Sequence, residues 1–198
     1  MMSECSKLIE AWFREHHDDG EFVEFDDSVP YSVIGPTSTT KSILFTSKPT
    51  VVASTIRLSR AGRFLSLIGR YGLPGRDDVT WMRNMVASHN AVFFGDLDPP
   101  DILVFAWLRD QLHPVRMRYL GISDTFIAST GFNISESVTI ALSDTERAAI
   151  ALVETVTPDL PQLIGPQCTD LLRAGRKLEV EAILTGLHDV DAILRIED

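Results

Sequence analysis

Ala91-Val92-Phe93-Phe94 is a strand-length run without a single polar side chain. A β-strand sends successive side chains to opposite faces, so a segment this apolar has no face to give to water and must be covered on both sides. The surrounding sequence supplies both more strands and the layers to cover them. Ser42-Ile43-Leu44-Phe45-Thr46, Phe64-Leu65-Ser66-Leu67-Ile68 and Arg116-Met117-Arg118-Tyr119-Leu120 are further short β-type runs. Helical patterns fall between them over about 48–60, 77–88 and 99–112, the first opened by Ser47 as a cap and Pro49 in the first turn. Strand alternating with helix predicts an α/β domain: a three-layer sandwich around a mostly parallel, four-stranded central sheet with right-handed crossovers. In such sheets functional groups collect where strands end at their carboxyl edge.

The flanking segments read differently. Leu8, Ile9, Trp12 and Phe13 recur at helical spacing within residues 3–17. His16-His17-Asp18-Asp19-Gly20 ends that helix, and seven acids crowd Glu15 to Asp27, with Phe22, Val23 and Phe25 interleaved as an edge strand. Pro30 to Thr40 is rich in Pro, Gly, Ser and Thr, which marks a linker. The expected division is therefore an appendage over 1–40 and a main domain over 41–198. Ser143-Asp144-Thr145-Glu146 has the form of a capping box, and Thr169 is placed to cap a last long helix through Leu184. No apolar run is long enough to span a bilayer, and the first residues lack the basic and apolar regions of a secretory signal. Two cysteines, Cys5 and Cys168, do not make a disulfide scaffold, so a reducing cytoplasm is the expected compartment.

The net charge of −10 argues against a chain that is basic throughout and wrapped in nucleic acid. Its distribution is uneven, however. Residues 41–90 hold eight basic side chains and two acids, Asp77 and Asp78. Lys48, Arg57, Arg60, Arg70 and Arg76 are the candidates to meet phosphate or DNA, against the commoner reading of a solvated basic helix face. Trp12, Trp81 and Trp107 lie in helix patterns and are expected to pack rather than stack on bases. The apolar stretch Ile102 to Leu108 is a candidate oligomer interface.

Asp96-Leu97-Asp98 follows the apolar strand directly, with Gly95 before it and Pro99-Pro100 after it. In a strand-end turn residues i and i+2 can point the same way, and two carboxylates at a strand's carboxyl edge make a seat for Mg²⁺. The alternative is that both aspartates only cap and turn the chain. Asp101 is either a third acid or a helix cap. Glu179 and Glu181, two apart on an expected helix, point to different faces, so only Glu179 is a weak candidate to approach the sheet edge.

Taken together, several stretches resemble the Toprim domain of the topoisomerase VI A subunit, the meiotic double-strand-break transesterases and the Wadjet nuclease subunit JetD. They are Ile68-Gly69-Arg70-Tyr71-Gly72-Leu73-Pro74, the Arg83 helix, Phe93-Phe94-Gly95-Asp96-Leu97-Asp98-Pro99, Arg118-Tyr119-Leu120-Gly121-Ile122, Leu142-Ser143-Asp144-Thr145-Glu146-Arg147, and a closing helix over Gly175 to Ile183. The resemblance spans about residues 41–187. It implies a Toprim fold in which Asp96 and Asp98 hold Mg²⁺ and an acid after the first strand acts as general acid/base or further ligand. That acid is absent: Ser47-Lys48 stands where the family has Glu-Lys, and no acid occurs between Asp27 and Asp77. A serine hydroxyl supplies neither charge to a cation nor a base at neutral pH. The family's transesterases also use a tyrosine on a winged-helix domain, and this chain has three tyrosines, Tyr31, Tyr71 and Tyr119, and only a short acidic appendage.

Three functions follow as expectations. One is a Toprim-like subunit, metal- or DNA-associated, with weak or lost phosphodiester chemistry. A second is a non-catalytic protein-interaction module that has kept the fold. The third starts from the similarity of Val92 to Asp98 to the nucleophile strand of haloacid-dehalogenase phosphatases. That motif usually opens its domain, and no Thr follows the second Asp here.

Overall fold

The sheet in the computed structural model runs in the order β1-β3-β2-β4-β5, with β1 at Ser32–Ile34, β2 at Ser42–Thr46, β3 at Leu65–Gly69, β4 at Asn90–Phe94 and β5 at Met117–Tyr119. The structure describes residues 3–16, 32–34, 42–49, 51–52, 65–69, 72–74, 79–80, 82–84 and 90–185. The expected edge strand near 22–25, Trp81, and most of the helices expected over 48–60 and 77–88 lie outside these residues. Arg57, Arg60, Arg70 and Arg76 lie outside them as well.

The fold is mixed α/β. Strand β2 is parallel to both β3 and β4, and β4 is parallel to β5. The sheet has five strands rather than the expected four, because Ser32–Ile34 adds an antiparallel edge strand with Val33 opposite Ile68. That strand comes from the segment read as a linker, whose Pro, Gly and Ser composition hides a three-residue β run.

The central strands are held by aromatic stacking on both sides. Phe45, Phe93 and Tyr119 are cross-strand neighbours in the register of β2, β4 and β5. Their rings stack at centroid distances of 5.8 Å for each neighbouring pair. Phe105 of helix α2, Pro99–Gln111, closes over this face at 5.7 Å from Phe93 and 5.1 Å from Tyr119. The next residue, Phe94, points to the other face and meets Phe126 of α3, Asp124–Thr130, edge-on at 5.3 Å. The absence of a wet side in residues 91–94 is thus matched by helices on both faces.

Helix α2 lies between the sheet and two further helices, α1 at Glu4–His16 and α4 at Asp144–Val156. Every side chain from Ile102 to Leu108 is buried, so this stretch is core and not the oligomer interface its apolarity suggested. A helix that is apolar all round is covered all round. The polar joint between α1 and α2 is specific: Ser3 Oγ donates to Asp110 Oδ2 at 2.5 Å, Ser6 Oγ donates to the same atom, and Trp107 Nε1 donates to the buried Glu10 at 3.2 Å. Ile9, Trp12 and Phe13 belong to the same apolar cluster as β2, β4 and α2. The division expected at residue 40 therefore does not fall at a break in the core.

The capping box forms as read. Ser143 Oγ accepts from Glu146 N at 3.2 Å, and Glu146 Oε2 accepts from Ser143 N at 2.8 Å. The long last helix does not form. Helices α5, Leu160–Ile164, and α6, Pro166–Arg173, are followed by Gly175 at φ +74°, a conformation that ends the helix. Thr169 sits inside α6, its hydroxyl donating to Gly165 O at 2.7 Å. Beyond Gly175 the chain is extended: β7, Arg176–Lys177, pairs with β6, Ile140–Ala141, and only Val180–Leu184 is helical, as α7. Among the described residues no helix is long and apolar enough to cross a membrane.

Phe93 is fully buried and touches three aromatic rings. Phe93→Ala is expected to cost about 3–5 kcal/mol in urea unfolding. Leu8→Ala, at a side chain 47% exposed, is expected to change stability by less than about 0.5 kcal/mol.

Candidate functional site

The parallel register of β2 and β4 sets Thr46 beside Phe94, so the two chains leave the sheet together. Ser47-Lys48 and Gly95-Asp96 are consequently adjacent at its carboxyl edge. Asp96, Asp98, Ser47, Lys48 and Asp101 lie at this edge, but Asp96 and Asp98 do not converge on one point as the sequence predicts. Glu179 and Glu181 reach the same edge from the C-terminal segment, because Leu97 and Leu178 form a β-bridge, with Leu97 N to Leu178 O at 2.9 Å and Leu178 N to Leu97 O at 3.3 Å.

Asp101, which the sequence offers as either a third acid or a helix cap, is the centre of the cluster. Its Oδ2 accepts from Ser47 Oγ at 2.5 Å and from Asp96 N at 2.6 Å. Its own N–H donates to Asp98 Oδ1 at 2.8 Å, which makes Asp98 the N-cap of α2 with Pro99 and Pro100 in the first turn. The spacing Asp98 to Asp101 is that of a cap and third helical residue, a signal that was present in the sequence. Gly95 is required by the same contact: a Cβ there would be driven into Asp101 Oδ2 and against the Phe93 ring.

Asp96 is directed elsewhere. Its Oδ2 pairs with Lys48 Nζ at 2.8 Å, and its Oδ1 accepts from Val180 N at 2.7 Å. Lys48 also approaches Glu181 Oε1 at 3.4 Å, while Glu181 Oε2 is buried without a hydrogen-bond partner. Glu179 precedes α7 rather than lying within it, and its charge acts on both Lys48 and Lys177. Both glutamates therefore bear on Lys48, contrary to the divergence read from helical spacing. Lys177 pairs with the buried Glu146 at 2.6 Å. Tyr119 is buried and donates its hydroxyl to Asp96 O at 3.3 Å. Arg83 lies away from the edge and donates to Gln111 O at the end of α2.

Burial dominates the electrostatics. It pushes Asp101 up to about 7, aided by the Asp96 charge and only partly opposed by the Ser47 and Asp96 hydrogen bonds. Burial, then the charges of Asp101 and Asp96, raise Asp98 well above the usual carboxylate range. Asp96 is also raised by burial, with Lys48 and Val180 holding it back in part. For Lys48, burial works against the charge, but the hydrogen bond and charge of Asp96, with Glu181 and Glu179, outweigh it and raise the ammonium's pKa.

The donor set does not fit the Mg²⁺ seat expected from Asp96 and Asp98. Asp96 spends one oxygen on a backbone N–H and the other on an ammonium, and Asp98 spends an oxygen capping α2. The two carboxylates share no bonding partner among the described residues, and no group of three His, Cys, Asp or Glu there is arranged to hold a metal ion. Ser47, where the resemblance would place an acid, donates its hydroxyl to Asp101. Compared with protein-family models and with curated proteins, the sequence matches none.

Asp101 binds a proton in the folded chain that the unfolded chain gives up near its ordinary pKa of 3.8. A raised carboxyl pKa contributes stability that is fully present below about pH 4 and is lost as pH rises to about 7. Thermal melts should show this decline, of order ~4 kcal/mol at most from Asp101, and Asp101→Asn should remove that share of it. Gly95→Ala is expected to destabilise by about 1–3 kcal/mol through the displaced Asp101 carboxylate.

Proposed function

We propose that the chain is a Toprim-like α/β module that has kept the aspartate pair and given up phosphodiester chemistry, and that it works as a non-catalytic protein subunit in a DNA-associated cytoplasmic assembly. The observation that carries this reading is the bond from Ser47 Oγ to the buried Asp101 Oδ2 at 2.5 Å. At the place where the resembling family sets its glutamate, this chain has a hydroxyl committed to an internal carboxylate. The Ser47 hydroxyl carries no charge, and the Asp101 carboxyl is buried with its Oδ2 already accepting two hydrogen bonds, so neither offers the accessible oxygen that general-base work or metal binding requires.

Two further features support the reading. Asp-x-Asp follows a central strand of a largely parallel sheet, beside the strand that ends in Ser47-Lys48. Lys48 is committed to Asp96, but the other basic residues of 41–90, Arg57, Arg60, Arg70 and Arg76 among them, give that segment a charge suited to phosphate in an otherwise acidic chain. Hydrolysis of the haloacid-dehalogenase kind is less well supported: both oxygens of Asp96 are engaged, and Asp98 caps α2 instead of facing a leaving group.

Supercoiled plasmid incubated with the protein and Mg²⁺ or Mn²⁺ should be nicked no faster than with an Asp96→Asn/Asp98→Asn double variant. Metal-dependent nicking that the double variant abolishes would overturn the proposal. Fluorescence anisotropy with a short duplex at low and moderate salt reads the DNA association separately, with affinity expected to fall steeply as salt rises.

A further inference from the structure

Lys48 Nζ stands 2.8 Å from Asp96 Oδ2 and 3.4 Å from Glu181 Oε1, and the charge of Glu179 reaches it as well. Asp96 is almost fully buried, its side chain 3% exposed, and its second oxygen is fixed by Val180 N–H at 2.7 Å. Glu181 adds a buried oxygen, Oε2, with no hydrogen bond of its own. Two carboxylates from distant parts of the chain, Asp96 and Glu181, therefore meet at one ammonium, and the charge of Glu179 adds to theirs. We infer that Lys48 is the resident cation of this edge: its ammonium takes the place between Asp96 and Glu181 that a divalent ion would need, and excludes such an ion by charge.

The inference deepens the proposed loss of metal-dependent chemistry and rests on it. The physical argument is direct. A divalent ion bound to Asp96 would sit within contact distance of a like charge. At an effective dielectric near 20 that repulsion alone corresponds to more than about a tenfold loss of affinity. Removing the ammonium reverses the sign, leaving a buried carboxylate and an unpaired carboxylate oxygen in need of a cation. Lys48 is in this sense a positioning residue: it touches no substrate and acts by holding the acids in place.

The test is a Mn²⁺ titration of the full-length protein followed by electron paramagnetic resonance, with wild type, Lys48→Met, Lys48→Arg and Lys48→Met/Asp96→Asn compared. Wild type and Lys48→Arg should show no saturable, Asp96-dependent site. Lys48→Met should gain one, with affinity higher by about tenfold or more, and the added Asp96→Asn should abolish it. Should Lys48→Met be unstable alone, refolding it in Mn²⁺ and in chelator gives the same information, with recovery expected only in Mn²⁺. Saturable Mn²⁺ binding by wild type that needs Asp96 would overturn the inference. So would a folded Lys48→Met that binds no Mn²⁺, or failure to refold in both conditions. Plasmid nicking by wild type would instead sink the proposed loss of chemistry, so the two failures are read by different assays.

Discussion

Asp101 carries a carboxylate into the dry edge of the sheet, and much of the surrounding backbone is arranged to keep it bonded. The Ser47 hydroxyl comes from the end of β2, the Asp96 N–H from the end of β4, and the first turn of α2 supplies the residue itself. One side chain thus ties two parallel strands to the helix that leaves them. A buried polar group without partners costs several times what a typical hydrogen bond contributes, so this arrangement is under strong constraint. The glycine before Asp96 belongs to the same constraint, because only a residue without Cβ lets the carboxylate approach.

Around this centre the charges are settled internally. Burial favours a proton on Asp101 and Asp98, and the remaining negative charge of Asp96 is met by Lys48. An ammonium differs from a divalent ion in a way that matters here. It carries half the charge, donates hydrogen bonds in fixed directions, and offers no open coordination position for a water or a phosphate oxygen. Around a lysine the same carboxylates tie distant segments of the chain together.

The strands were legible because residues such as 91–94 leave no choice of environment, and the Asp-x-Asp turn was legible because it follows the most apolar strand. What escaped the sequence depends on contacts distant along the chain. Nothing local tells that Lys48 will meet Asp96, or that Val180 will supply an N–H to it across 84 positions. Ile102 to Leu108 reads as an exposed apolar surface until α1 and α4 are seen to cover it. The closing helix was misread because Thr169 and the charges after it fit helical spacing, whereas Gly175 adopts a positive φ and turns the chain into β7. Asp101 was read as either an acid or a cap; it is the third residue of a capped helix and also the acceptor for two other segments.

The bridge between Leu97 and Leu178 has a consequence for the order of events during synthesis. Strands β2 to β5 and helix α2 are complete well before residue 178 leaves the ribosome, yet Asp96 lacks its backbone donor until then. Until residues 180 and 181 have docked, Asp96 is without the Val180 N–H and Lys48 without Glu181. Docking of this segment completes the bonding of that edge, so the charge state of Asp96 depends on a contact made across 84 positions of the chain.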